Sequence, residues 1–221
     1  GRLRLGVRVN VGSCPFIFDL LDSSQEEEGH ELSNLSKTLF SSMMLDPSIE
    51  RLKSKCTDSE KENIQEYLDL YSDRDDFFKK TALMTEIGFR SPAIKMAENH
   101  IKAGGNGKTY MYLFGKKNTR YDWIGASHGC ELPYVFHNFG KDEEIVSGPV
   151  DSALADQVCG AWTSFAIDGV PNYNNVIWTQ YSLTNRETMM FNNDCTVNIQ
   201  NDPLSKQREL IAPLMHHYHG L

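Results

Sequence analysis

No stretch of this 221-residue chain holds the roughly 20 consecutive apolar residues that span a bilayer, so no membrane partner is expected. Basic residues are outnumbered, 22 Lys and Arg against 30 Asp and Glu. The formal net charge of -8 argues against a nucleic-acid-binding surface. Cysteine is sparse and scattered. Cys14, Cys56, Cys130, Cys159 and Cys195 show no C-x-x-C spacing, so zinc is not expected, and their odd number favours free thiols in a reducing, cytoplasmic setting. No internal repeat, linker or low-complexity tract interrupts the chain. Gly1 is not an initiator methionine, so the N-terminus is expected upstream, and the missing signal peptide says little about compartment. With 40% hydrophobic and 24% charged residues, the composition is that of a globular protein with a core of ordinary size.

Residues 2–9 alternate apolar and basic side chains, a strand of period two. Residues 22–38 are polar, with Glu26, Glu27 and Glu28 in a run, and read as a solvated loop. Thr57-Asp58-Ser59-Glu60 is a capping box, which predicts a helix to about Tyr71. A second helix is expected over about 75–89. A third starts at Ser91-Pro92 and stops at Gly104-Gly105. Thr109 to Phe114 is continuously apolar and aromatic, the pattern of a strand buried on both faces. Pro149 to Gly169 is the clearest helix. Val176 to Trp178 reads as a short edge element, and Thr188 to Phe191 as a strand with Met189 and Met190 in its core. Asp202-Pro203 is expected to cap a last helix that Pro213 ends or kinks. Strands alternating with helices make an α/β pattern.

The chemistry-bearing stretch is Trp123-Ile124-Gly125-Ala126-Ser127-His128-Gly129-Cys130-Glu131-Leu132-Pro133. An imidazole titrates near neutrality, and small neighbours let a substrate approach, so His128 is the candidate general base. Gly125 to Gly129 matches G-x-S-x-G, but polar residues 118–122 precede it. A nucleophile elbow needs an apolar strand running into the serine, so Ser127 is rejected as nucleophile. Cys130 has no cation beside it other than His128 to lower its pKa. Glu131 is expected to brace the histidine turn. His216, His217 and His219 suggest a metal, but no matching acid or cysteine cluster accompanies them in sequence. They read as an exposed tail, with no metal site.

The stretch from Trp123 to Phe136 resembles the catalytic-histidine segment of type-B carboxylesterases, the group that includes the cholinesterases. Trp162-Thr163-Ser164-Phe165-Ala166-Ile167-Asp168-Gly169-Val170-Pro171-Asn172, followed by Trp178, is similar to a second signature of that family. Phe89-Arg90-Ser91-Pro92-Ala93 is similar to a segment of its bacterial-type members. The likeness is strong over about 76–180. It implies the C-terminal part of an α/β-hydrolase fold, an incomplete sheet flanked by helices, as one partial domain over residues 1–221 whose N-terminal half is absent.

The resemblance implies that His128 is the triad base and that the nucleophilic serine and oxyanion loop lie upstream. The substrate would be a small-molecule carboxylic ester, attacked without any cofactor. Gly6 to Ser13 aligns with the family's acid-bearing turn, yet the acid position falls on Val11. Three readings stand: the alignment slips, the acid comes from Asp19, Asp22, Glu26 or elsewhere, or the protein is a non-catalytic binding or adhesion relative. His137 stands where relatives often carry glycine. The chain by itself is expected to be inactive, and half a hydrolase sheet would expose an unpaired edge.

Overall fold

The computed structural model of the chain describes residues 5–10, 34–35, 37–105, 109–118, 125–138 and 151–217. In chain order come β1 (Leu5–Asn10), a π-helical turn (Ser41–Leu45), α1 (Asp46–Lys53), α2 (Asp58–Asp69) and α3 (Asp76–Thr85). A second π-helical turn (Glu86–Arg90) leads to α4 (Ser91–Lys102), then β2 (Thr109–Phe114), α5 (Leu132–Phe136) and α6 (Ser152–Asp168). The chain continues through β3 (Glu187–Phe191), β4 (Val197–Asn201), α7 (Ser205–Ile211) and a 3-10 segment (Ala212–His217). It divides into two compact units: Gly1–Val11 with Ala93–Pro203, and Gly12–Pro92 with Leu204–Leu221.

The first unit is built on a four-stranded sheet in the order β1-β2-β3-β4. β1 pairs with β2 in parallel, Leu5 opposite Thr109, and β2 pairs with β3 in parallel, Met111 opposite Thr188. β4 closes the order antiparallel to β3, Glu187 opposite Asn201. All six residues of β2 are buried, as its unbroken apolar run requires. From one face of β2, Tyr110, Tyr112 and Phe114 share a core with Leu154, Ala155, Val158 and Ala161 of α6. Fully burying each Leu or Val there stabilises by about 1.5–3 kcal/mol. The rings meet edge to face, Tyr112 on Trp162 at 4.8 Å between centroids.

The Asp151 carboxylate caps α6 by accepting from the Leu154 N–H at 2.8 Å. This cap sets the start of α6 at Ser152, after the expected Pro149. Gly169 ends the helix in the left-handed conformation at φ 74°. The expected edge element at Val176–Trp178 is a loop with a single bridge, Tyr173 to Val176. The Asn172 side chain accepts from the Trp178 N–H at 2.8 Å and pins that loop, while Trp178 Nε1 donates to the Met111 carbonyl at 3.1 Å. Met189 is buried in β3 as expected, and Met190 is half-buried.

The second unit is helical. Its core gathers Ile49 and Leu52, Ile64 and Tyr67, Leu83, Ile87, Ile211 and Leu214. α2 carries the expected capping box: the Glu60 N–H donates to Thr57 Oγ1 at 3.3 Å, and the Thr57 N–H donates to Glu60 Oε2 at 2.7 Å. The Asp75 carboxylate caps α3 through the Phe78 N–H at 2.7 Å. The expected helix over 75–89 stops being an α-helix at Thr85, because the next turn widens until the Ser91 N–H reaches the Glu86 carbonyl. Such a turn accommodates Pro92, whose ring would collide with the carbonyl four residues back in a regular helix.

Asp202 does not cap the last helix. α7 starts from Leu204 in the left-handed conformation with no side-chain cap, and the Asp202 carboxylate lies 4.0 Å from Arg186. Among the described residues no helix is long and apolar enough to cross a membrane.

Candidate active site

The histidine turn lies in the sheet-bearing unit, 11 positions beyond the last residue of β2 at its nearest glycine (125 − 114). It is tied back toward the strand by the Asn118 N–H, which donates to the Gly125 carbonyl at 3.0 Å. Gly125 and Gly129 take φ of 67° and 88°, a left-handed backbone that side chains disfavour, so the two glycines set the bend on either side of His128. The Cys130 N–H closes a tight turn onto the Ser127 carbonyl at 3.1 Å, and the Leu132 N–H bonds the Gly129 carbonyl at 2.9 Å. The chain then enters α5.

Within residues 126–131 every residue is buried except His128, which is half-exposed. His128 is thus the one residue of 126–131 that keeps some exposure. Ser127 is fully buried. Cys130 is buried with its Sγ 3.9 Å from the Lys116 carbonyl. Glu131 is buried at the N-terminal boundary of α5 and does not cap that helix with its side chain.

His137 adopts φ 52° and ψ 41° at the end of α5, the conformation glycine takes most easily. Its Nε2 lies 2.7 Å from the Asp156 carboxylate. Tyr134, inside α5, is fully buried, and burial pushes its phenol up to about 12. Val11 and the fallback acids Asp19, Asp22 and Glu26 lie outside the described residues.

An aromatic cavity of about 340 Å³ also lies in this unit, lined by Tyr110, Tyr112, Trp162, Phe165, Pro171 and Trp178, and no described residue of the histidine turn is among its lining. Of the tail histidines, His216 is exposed and His217 is half-buried, while His219 lies outside the described residues. The expected exposed tail is therefore exposed only in part. Folding also places Cys56 and Glu60 beside His217, the acid and the cysteine that the sequence around the tail does not contain.

The model of the carboxylesterase family matches residues 10–210. The chain belongs to the carboxylesterase family. A para-nitrobenzyl esterase of Bacillus subtilis is 27% identical over 199 residues, covering 88% of this chain and 38% of that enzyme. A solved para-nitrobenzyl esterase structure, 26% identical, superposes with a TM-score of 0.51 over 60% of this chain and 27% of its own. A carboxylesterase of Geobacillus stearothermophilus, 21% identical, superposes with a TM-score of 0.59, covering 82% of this chain and 38% of that one, and shows a shared fold. The chain thus spans about 38% of the length of the Bacillus enzyme it matches. Its small mixed sheet and helices are part of an α/β-hydrolase fold.

Proposed function

We propose that this family member is a carboxylic-ester hydrolase in which His128 is the general base of a serine mechanism, with the nucleophilic serine and oxyanion hole supplied by residues outside this chain. The observation that carries the reading is the half-buried His128 in a turn bent on either side by Gly125 and Gly129. The chemistry needs such a base to take the serine proton and return it to the leaving alcohol while a covalent acyl-enzyme forms and hydrolyses. Neither metal nor cofactor is required, and the partner is a small carboxylic ester. Residues 1–221 then form one partial domain that turns over no ester by itself.

The test is turnover of para-nitrophenyl acetate and butyrate by the full-length protein, with labelling by an organophosphorus serine probe. Wild type is expected to hydrolyse the esters and take up one probe per chain. His128→Gln is expected to lower kcat by about 10³-fold or more, the scale of losing a triad member. A full-length protein with neither turnover nor labelling would instead support a non-catalytic binding relative, the reading favoured by Val11 at the aligned acid position.

A further inference from the structure

We propose that Cys56, Glu60, His216 and His217 form a four-ligand site for zinc or a similarly borderline-soft divalent cation, in the helical unit and separate from the histidine turn. Cys56 sits just before α2 and Glu60 in its first turn, while the two histidines end the 3-10 segment after α7. Cys56, Glu60 and His217 each offer a ligand atom, and the three atoms lie within 4.8 Å of one another. His217 Nε2 lies 3.1 Å from Glu60 Oε2, and His216 Nε2 lies 3.6 Å from Glu60 Oε1.

The orientation of His216 also suits a ligand. His216 Nδ1 lies 2.7 Å from the Pro213 carbonyl, an oxygen that only accepts, so Nδ1 carries the proton. Nε2, the nitrogen left for a ligand, faces Glu60 Oε1 at 3.6 Å. A ring N–H held by a backbone carbonyl is also the usual way a metal-ligating histidine is oriented.

Glu60 Oε2 already accepts from the Thr57 N–H and hydroxyl at 2.7 and 2.9 Å, which fixes the carboxylate and leaves Oε1 for a ligand. Cys56 is buried, and its Sγ is one of the three grouped ligand atoms.

One sulfur, two imidazole nitrogens and one carboxylate oxygen are a donor set that suits tetrahedral zinc. Bonds of about 2.0–2.3 Å separate such donors by roughly 3.3–3.8 Å, so the Cys56, Glu60 and His217 atoms, now within 4.8 Å of one another, close by at most about 1.5 Å on binding. Binding exchanges the Cys56 S–H proton for an S–metal bond, with that proton released to solvent, and the His217 ring proton leaves Nε2 for Nδ1 as the hydrogen bond to Glu60 breaks and the N–metal bond forms. The ion would fasten the end of the chain's 3-10 segment to α2, where at present a hydrogen bond and the apolar core do so.

The experiment titrates cobalt(II), and then zinc, into the metal-stripped full-length protein. One equivalent of cobalt is expected to give tetrahedral visible bands and a thiolate-to-cobalt charge-transfer band in the near ultraviolet, both abolished when zinc displaces it. Cys56→Ser is expected to remove the charge-transfer band, and His217→Gln to weaken affinity at least tenfold while keeping it. His217→Gln spares the thiol and decides the matter should Cys56→Ser fail to fold. The proposal is overturned if no tetrahedral spectrum forms, if the band survives Cys56→Ser, or if His217→Gln leaves affinity unchanged. A histidine–carboxylate pair that responds to pH and ignores metal would overturn it equally.

Discussion

Gly129 carries the backbone strain of the histidine turn. At φ 88° it is in the left-handed region, yet a Cβ built there would meet only Leu132 Cδ1, at 3.8 Å. Space is available, so the penalty for a side chain is conformational. Gly129→Ala is expected to destabilise by about 1–2 kcal/mol, the scale of forcing an L-residue into that conformation. A lower denaturation midpoint at constant m-value would show it. His128 directly precedes this residue, so esterase kcat of the full-length protein should also fall, with KM little changed. An alanine variant with wild-type stability and kcat would mean the turn tolerates a different path. His137 shows the opposite solution. It holds a left-handed φ of 52° without being glycine, and gains an exposed contact with Asp156. An exposed contact of that kind contributes at most about 1 kcal/mol.

The wide helical turn Glu86–Arg90 explains why Phe89-Arg90-Ser91-Pro92 is a unit. Arg90 is 4% exposed and lies 2.8 and 2.9 Å from the two oxygens of Glu86, which also accepts from the Ser91 hydroxyl at 2.9 Å. Phe89 points outward, 52% exposed. Arg90→Met leaves the buried Glu86 charge without its main partner and is expected to cost about 3–5 kcal/mol, read from urea midpoints. The double variant Glu86→Gln with Arg90→Met should recover much of that loss. Equal losses in both would sink the account.

This motif was legible as a helix start, as were the capping box at Thr57, the buried strand β2 and the long helix α6, because each is written in neighbouring residues. β4 was not. It offers only Val197 and Ile199 among amides, and its pairing depends on the turn after β3, where the Asn192 N–H meets the Thr196 carbonyl. α1 was not foreseen either, although Leu45, Ile49 and Leu52 recur at helical spacing beside Pro47. The histidine turn was readable because its residues are contiguous. The Cys56, Glu60 and His217 cluster was not, since 157 positions separate its acid from its histidine and only folding unites them.

At the scale of the molecule, an excess of acid over base makes carboxylates the main determinants of acid stability. Glu60 is held down at about 2, first by the Thr57 backbone N–H and then by His217. Burial pushes Asp75 and Glu187 up, but hydrogen bonds from the Phe78 N–H and from Ser182 outweigh it, and both end below their ordinary range. Asp194 is lowered by Thr196. In the unfolded chain these groups titrate near about 3.9 for Asp and about 4.3 for Glu. Between those values and the folded ones the unfolded state binds more protons, so stability rises with pH across the window. It is therefore fully present above about pH 5, and it falls as pH drops through about 4 toward about 2. Urea midpoints of the chelator-treated full-length protein, measured across that window, should show this acid limb. Glu60→Gln should make the limb shallower, whatever it does to the midpoint at neutral pH through the altered cap. An acid limb of unchanged slope in Glu60→Gln would show that the capping box and His217 do not hold this carboxylate ionised.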